Sequence, residues 1–174
     1  SGATSATIEG NYAINLAITK TSASYQTGTS SVSPTINKTI AYDIEVNGVT
    51  NSISYETGGG NPAYSDIATG LSAEIASVFG ASVITVSENA GVFTLETTST
   101  GQGSTVSVSN LAGDSALFGF SAASGTAGVT NYSGTIGGEP ATYDPVTQNL
   151  TGLAGSDVEG LAVSISGGAS GDLG

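Results

Sequence analysis

The chain contains no cysteine, histidine, methionine or tryptophan, and only two of its 174 residues, Lys20 and Lys38, carry positive charge. Without thiol or imidazole there is no thiolate nucleophile, no Ser-His dyad, no zinc site built from Cys or His, and no haem ligation of the usual kinds. Fourteen acids against two lysines leave a formal net charge of -12, so a phosphate backbone or an anionic leaflet is repelled by the chain as a whole. We expect no nucleic-acid and no membrane partner. No apolar run approaches the ~18 residues of a membrane span, and no basic segment followed by an apolar core opens the chain. What remains is carboxylate chemistry, hydroxyls and surface recognition. From this we expect no enzyme activity, no catalytic or cofactor-binding residues, no metal site and no cofactor.

Charged residues make up only 9% of the chain, and the apolar residues are periodic, which together argue for a folded protein. The length suits one or two domains, and with no disulfides the stability must come from packing. The leading Ser1-Gly2 reads as a cloning scar and the chain as a fragment of a longer protein.

Tyr12, Ile14, Leu16 and Ile18 alternate with polar or small residues, the period of a half-buried strand, which we extend toward Tyr25. Residues 26–37 are rich in Ser, Thr, Gly and Pro and read as a loop. Ile40, Tyr42, Ile44 and Val46 precede Asn47-Gly48, and Val49, Asn51, Ile53 and Tyr55 follow it. Asn-Gly tolerates the two positive φ angles of a type I′ turn, so Thr39 to Glu56 is expected to be a hairpin.

After a break at Gly58-Gly59-Gly60-Asn61-Pro62 the period changes. Ile67, Leu71, Ile75, Val78 and Phe79 form one apolar stripe of an α-helix. Ser65 or Asp66 can accept its orphan N–H bonds, and Gly80 can close it. Gly70 weakens this helix by roughly 1 kcal/mol relative to Ala, so the helix should lie on a sheet that holds it.

Val83, Ile84 and Val86, a turn at Glu88 to Gly91, and Val92, Phe93 and Leu95 predict a second hairpin. Gly101-Gln102-Gly103 then turns toward a strand at Val106 and Val108, and Leu111 to Phe120 adds a short helical turn that caps the core. Beyond Gly125, strands are expected at Tyr132 to Ile136, at Ala141 to Tyr143, and at Leu161, Val163 and Ile165, with no second helix. The expected fold is α+β and mostly β, with two β-rich domains. Residues 1–38 and 129–174 would form a discontinuous β domain, its tail pairing with the first strand. Residues 39–128 would form the inserted domain of hairpin, helix, hairpin and strand.

Several of these segments resemble a known repeat. Ala41-Tyr-Asp-Ile-Glu-Val-Asn-Gly-Val-Thr50, Asp66-Ile-Ala-Thr-Gly-Leu-Ser-Ala-Glu-Ile75, Ala81-Ser-Val and Phe93-Thr-Leu-Glu-Thr-Thr-Ser-Thr-Gly101 resemble the flagellin IN-type repeat: a hairpin with a Gly turn, a helix, and a strand closing in Thr-Ser-x-Thr-Gly. Where that repeat has Ile-Asn at the end of its helix, this chain has Glu74-Ile75-Ala76. Glu9-Gly-Asn-Tyr-Ala-Ile-Asn-Leu16 is similar to the segment entering the second domain of flagellar filament cap proteins, the hook-associated proteins. Gly134-Thr-Ile-Gly-Gly138, Gln148-Asn-Leu-Thr-Gly152, Asp157-Val-Glu-Gly-Leu161 and Gly167-Gly-Ala-Ser-Gly171 are similar to their glycine-punctuated return segment.

The family's helical terminal regions are not in this sequence, so the resemblance implies the outer head alone. It also implies a structural function: an extracellular cap at the distal tip of the bacterial flagellum, working in motility. The implied partners are its own copies, assembled as a homo-oligomer ring through the full-length protein, and flagellin subunits that fold and join the filament beneath it. The exposed outer surface would meet host glycans or mucin in cell adhesion. Alternatives are the variable outer domain of flagellin itself, or an extracellular adhesin or carbohydrate-binding module. A Cys-free, Ser/Thr/Gly-rich chain also suits export in the unfolded state, because no disulfide forms early and aggregation stays low.

A few residues invite a second reading. Asp157 and Glu159 can be a calcium loop or an acid-base pair, but calcium loops take oxygens at several alternating positions, and a turn entering a strand explains two acids. Asp43 with Glu45, and Glu88 with Glu96, can pair carboxylates across a sheet as glycosidases do, or keep an edge from pairing with strangers. Lys20 and Lys38 can anchor acids, activate a serine, or simply be solvated. Asn37, Asn131 and Asn149 each open an N-glycosylation pattern that a Ser/Thr-rich chain produces by chance. Tyr12, Tyr25, Tyr42, Tyr55, Tyr64, Tyr132 and Tyr143 can form a recognition patch. Of these, Tyr12, Tyr42 and Tyr55 fall at core or boundary positions.

Overall fold

The structure is a computed structural model that describes residues 11–31, 37–60, 62–166 and 171–172. The chain is α+β and mostly β, with one α-helix among the described residues. It divides into two compact units: Ser1–Thr19 with Thr130–Gly174, and Lys20–Val129.

The second unit is built on the Asn-Gly hairpin. Strands β3 (Lys38–Val46) and β4 (Val49–Thr57) pair with Val46 opposite Val49. Between them Asn47 and Gly48 take φ of 51° and 83°, the two left-handed residues of a type I′ turn. Strands β7 (Val106–Gly113) and β8 (Ala123–Ser124) complete a sheet in the order β4-β3-β7-β8. A smaller sheet contains β2 (Ser22–Gln26), β6 (Val92–Thr100) and β5 (Ile84–Asn89), in the order β2-β6-β5. The expected strand from Tyr12 toward Tyr25 is therefore two strands. Thr21 interrupts it by donating its N–H to Val129 and accepting that of Gly101, both at 2.9 Å.

Helix α1 (Tyr64–Phe79) packs on β4 and β5. Ile67, Leu71 and Ile75 are buried on its inner face, together with Ala68. Burying the three larger side chains contributes roughly 4–9 kcal/mol, which outweighs the ~1 kcal/mol cost of Gly70. The same glycine has a steric purpose, because a Cβ at position 70 would run into the ring of Tyr55. Two details differ from expectation. The helix starts at Tyr64 with Ala63 as its cap, so Asp66 sits in the first turn, where its carboxylate accepts the Ala63 N–H at 2.9 Å. Val78 stays exposed at the last turn, beyond the sheet. Gly80 closes the helix at φ 91°, its N–H donated to Ala76 at 2.9 Å.

Phe120 lies at the centre of this unit's core. It stacks on Tyr42 of one sheet at 4.8 Å between ring centroids, and on Phe93 and Tyr25 of the other at 6.0 and 6.4 Å. A 3-10 turn at Ser115–Phe118 buries Phe118 beside it, the capping turn expected over Leu111 to Phe120. The Tyr25 hydroxyl donates to the Ser121 carbonyl at 2.8 Å and accepts the Ser121 N–H at 2.9 Å. The Tyr42 hydroxyl, buried as deeply, has no hydrogen-bond partner among the described residues.

Among the described residues the first unit forms one sheet. Its strands are β1 (Ile14–Lys20), β9 (Thr130–Ile136), β10 (Glu139–Asp144), β11 (Asn149–Gly152), β12 (Ala162–Ser164) and β13 (Gly171–Asp172), in the order β12-β11-β10-β9-β1-β13. In this sheet β1 lies between β9 and β13, so the tail pairs with the first strand. Leu16, Ile136, Tyr143, Leu150 and Ile165 form the core, and Val158 from the loop at residues 153–161 joins them. Most of the Gly167-to-Gly171 return segment lies outside the described residues.

Candidate functional site

The acidic residues are the most numerous ionisable side chains of this sequence, and the fold disperses those that the sequence singled out as pairs. Asp157 and Glu159 flank Val158, which is 5% exposed, while both acids point to solvent. Glu159 turns back to accept the N–H of Gly155 at 2.8 Å. The Asp-Val-Glu triplet is thus a loop pinned by its central valine, with one acid bracing the turn.

Asp43 accepts hydrogen bonds from the Ser52 hydroxyl at 2.5 Å and the Asn110 amide at 2.6 Å. Those donors, Asn110 foremost, hold its carboxyl below the usual carboxylate range. Its strand neighbour Glu45 lies opposite Thr50 and Ser107, so neighbouring strands offer it hydroxyls and no second acid. Glu88 pairs with Phe93, whereas Glu96 pairs with Thr85. Directly opposed residues share a face and successive residues alternate, so Glu88 and Glu96 lie on opposite faces of their sheet.

The lysines differ from each other. Lys20 is exposed, while Lys38 is half-buried and donates to Asp114 at 3.0 Å. Asp114 also accepts the Thr39 N–H at 3.1 Å, and the Lys38 ammonium followed by that N–H depresses its pKa. Neither Asp114 nor Asp144 is conspicuous as a motif. Asp144 accepts the Val146 N–H at 2.9 Å and the Thr147 hydroxyl at 2.8 Å, with the backbone bond the main cause of its lowered pKa. The available sequence signal was Asp144-Pro145, a turn-initiating pair. Both carboxylates organise loops.

Among the tyrosines, Tyr25, Tyr42 and Tyr143 are buried and Tyr12, Tyr55 and Tyr64 half-buried. Tyr64 meets Phe93 edge-on at 6.1 Å. Tyr132 is exposed and leans on Tyr143 at 5.1 Å, so one ring, and not a patch of seven, faces solvent openly. Asn37 and Asn131 are exposed, and Asn149 is half-buried within β11.

Among the described residues, two grooves indent the surface of the second unit. One, of about 340 Å³, is lined by hydroxyls of Ser24, Thr94, Ser121 and Thr126 and holds no carboxylate. The other, of about 550 Å³, runs between α1 and β5 and contains one, Glu88. Neither brings two acids together. Among the described residues no three Asp, Glu, His or Cys side chains group as metal ligands would. The arrangement offers contact surface, with Asp43, Asp66, Asp114, Asp144 and Glu159 engaged in local hydrogen bonds.

No protein-family model matches the chain, and no curated protein matches it. Among solved structures, the chain is similar to the crystal structure of FliD (HAP2) from Pseudomonas aeruginosa PAO1. Sequence identity is 14% and the TM-score 0.45, over 92% of this chain and 81% of that one. At this identity and TM-score the likeness is distant.

Proposed function

We propose that this chain is the outer head of a bacterial flagellar filament cap: a non-enzymatic, extracellular part that works through contacts with its own copies and with flagellin. The observation carrying this reading is the fate of the residues that resemble the IN-type repeat. Ala41–Thr50 falls in the β3–β4 hairpin, Asp66–Ile75 in α1, and Phe93–Gly101 in β6 and the residue that closes it. Sequence resemblance and local structure thus run in parallel through hairpin, helix and closing strand. The two flanks that resemble cap proteins enter one sheet, β1 beside β9, which supports reading the two units as domains, the second inserted into the first. The commitment of Asp43, Asp114, Asp144 and Glu159 to local bonds supports a scaffold over an enzyme.

In this reading the full-length protein forms a ring at the distal tip, and exported flagellin subunits fold and join the filament beneath it. Its outer surface meets host glycans or mucin. Electron microscopy of flagella carrying a gold-labelled tag inserted in this region tests the proposal. Label confined to the tip is expected. Label along the shaft assigns the chain to the outer domain of flagellin instead, and absence from flagella overturns both.

A further inference from the structure

The groove between α1 and β5 combines two features that recur where one protein captures an extended stretch of another: an open sheet edge and a helix wall set back from it. Among the described residues β5 pairs with β6 alone. Its register decides which backbone groups are free. Thr98 donates its N–H to the Val83 carbonyl at 3.0 Å, so Val83, Thr85, Ser87 and Asn89 are the positions that bond to β6. In an antiparallel pair the positions between them direct N–H and C=O outward. Val86 and Glu88, both lining the groove, therefore present an unpaired ladder to solvent. Edge strands are commonly protected by lysine, proline or a bulge. This one has none of the three, and its one charged guard is Glu88, half-buried on the groove side, which repels an acidic strand and admits a cationic one.

The facing wall is built for close approach. Ala68, Ser72 and Ala76 recur every four residues along α1 and line the groove, so no long side chain blocks an incoming backbone. Electrostatics selects the occupant. Every charged residue on α1 and β5 is a carboxylate, namely Asp66, Glu74 and Glu88. The two lysines are elsewhere, Lys20 in β1 and Lys38 in β3, the latter paired with Asp114. A second copy of a chain with net charge -12 is repelled from this edge, and a cationic segment is attracted.

We propose that this groove takes an extended, cationic segment of another protein, which adds to β5 as a further strand. Small side chains at alternate positions of that segment face α1, and a Lys or Arg meets Glu88. The inference goes beyond the flagellar reading and does not depend on it.

The test uses the full chain and a synthetic ten-residue peptide of alternating Val and Ala carrying two Lys, followed by NMR titration and amide hydrogen exchange. Saturable binding with slowed exchange at Val86 and Glu88 is expected. Replacing the peptide lysines by Glu, or N-methylating its alternate amides, should each weaken binding at least about tenfold. Val86→Pro removes an outward N–H without taking a bond from β6 and should weaken binding similarly. Ala73→Trp, at an exposed groove position, fills the groove without touching the ladder, and gives the same answer if the proline variant misfolds. Equal affinity for the acidic or the N-methylated peptide overturns the proposal. So does slowed exchange at these amides without peptide in a sample that sediments as a dimer, which would assign the edge to self-pairing.

Discussion

The two units cover their strands with different material. In the second unit a 16-residue helix lies on β4 and β5, and in the first a loop at residues 153–161 lays Val158 against the sheet. A helix satisfies its own backbone bonds, so it can be held by apolar side chains alone. A loop cannot, and each exposed backbone group needs its own partner. Accordingly Leu153 donates to Pro140 at 3.2 Å, Gly152 donates to Leu161 at 3.0 Å, and Gly155 is held by Glu159 at 2.8 Å. Aromatic residues follow the same division. Phe93, Phe118 and Phe120 are buried in the second unit, and the buried core of the first is aliphatic apart from Tyr143.

The sharpest way to break this contrast is Phe120→Ala, which removes the ring between the two sheets of the second unit. It should cost that unit about 3–5 kcal/mol, read as a loss of amide protection in β3 and β6 during urea titration. A cost under 1 kcal/mol would mean that the aromatic stack does not organise the core.

Gly70→Ala tests whether the helix is seated as described. In an exposed helix the change gains roughly 1 kcal/mol, but here the new methyl meets the Tyr55 ring, and a net loss of about 1–2 kcal/mol is expected. In a Tyr55→Ser background the sign should revert to a gain. Thermal melts of the four proteins in this cycle give the answer.

Val158→Ala probes the loop lid and should cost about 1–2 kcal/mol, with faster exchange at the Gly152 and Leu161 amides. Unchanged exchange there would show that the polar bonds hold the loop without its apolar anchor.

Tyr42→Phe removes a buried hydroxyl that has no partner among the described residues, and burial holds that hydroxyl's pKa far above its usual value. The change should stabilise the second unit by up to about 1 kcal/mol, whereas Tyr25→Phe, which abandons Ser121, should destabilise it by a similar amount. Matching signs for the two in denaturant titrations would contradict the hydrogen-bonding described.

The smallest effect is acidic. Asp114 in the second unit and Asp144 in the first both have pKa values lowered from the ordinary 3.8. A depressed carboxylate contributes stability that is present above the unfolded pKa and lost as pH falls through the folded one. Asp114→Asn should flatten the acid limb of the second unit, and Asp144→Asn that of the first, when amide protection is followed downward from about pH 4. A variant that retains the wild-type slope removes that carboxylate from the account.

Local chemistry was legible where one residue type has one use. Asn47-Gly48 announced its turn because two adjacent residues with positive φ are costly for most side chains. The hairpin at Ala90-Gly91 takes the same geometry, with φ of 50° and 80°. Its alanine gives no such signal, and only flanking alternation located it. The helix was legible from its stripe, while its first turn was not, since Ala63 has no capping side chain and the sequence pointed to Ser65 or Asp66. The carboxylates were legible as candidates and not as outcomes. Whether Glu88 and Glu96 share a face depends on a cross-strand register that no single segment contains.

By itself the sequence determined that thiol and imidazole are missing from this chain, which is composition, and the period of each segment, which is a property of neighbouring residues. Tertiary structure decided the rest. It sent β2 to β6 instead of extending β1, placed Tyr55 against Gly70, gave Val158 to a core and its flanking acids to water, and left one edge of β5 without a partner strand among the described residues. Each of these depends on a partner distant in sequence, and backbone pairing and burial are settled only when that partner arrives.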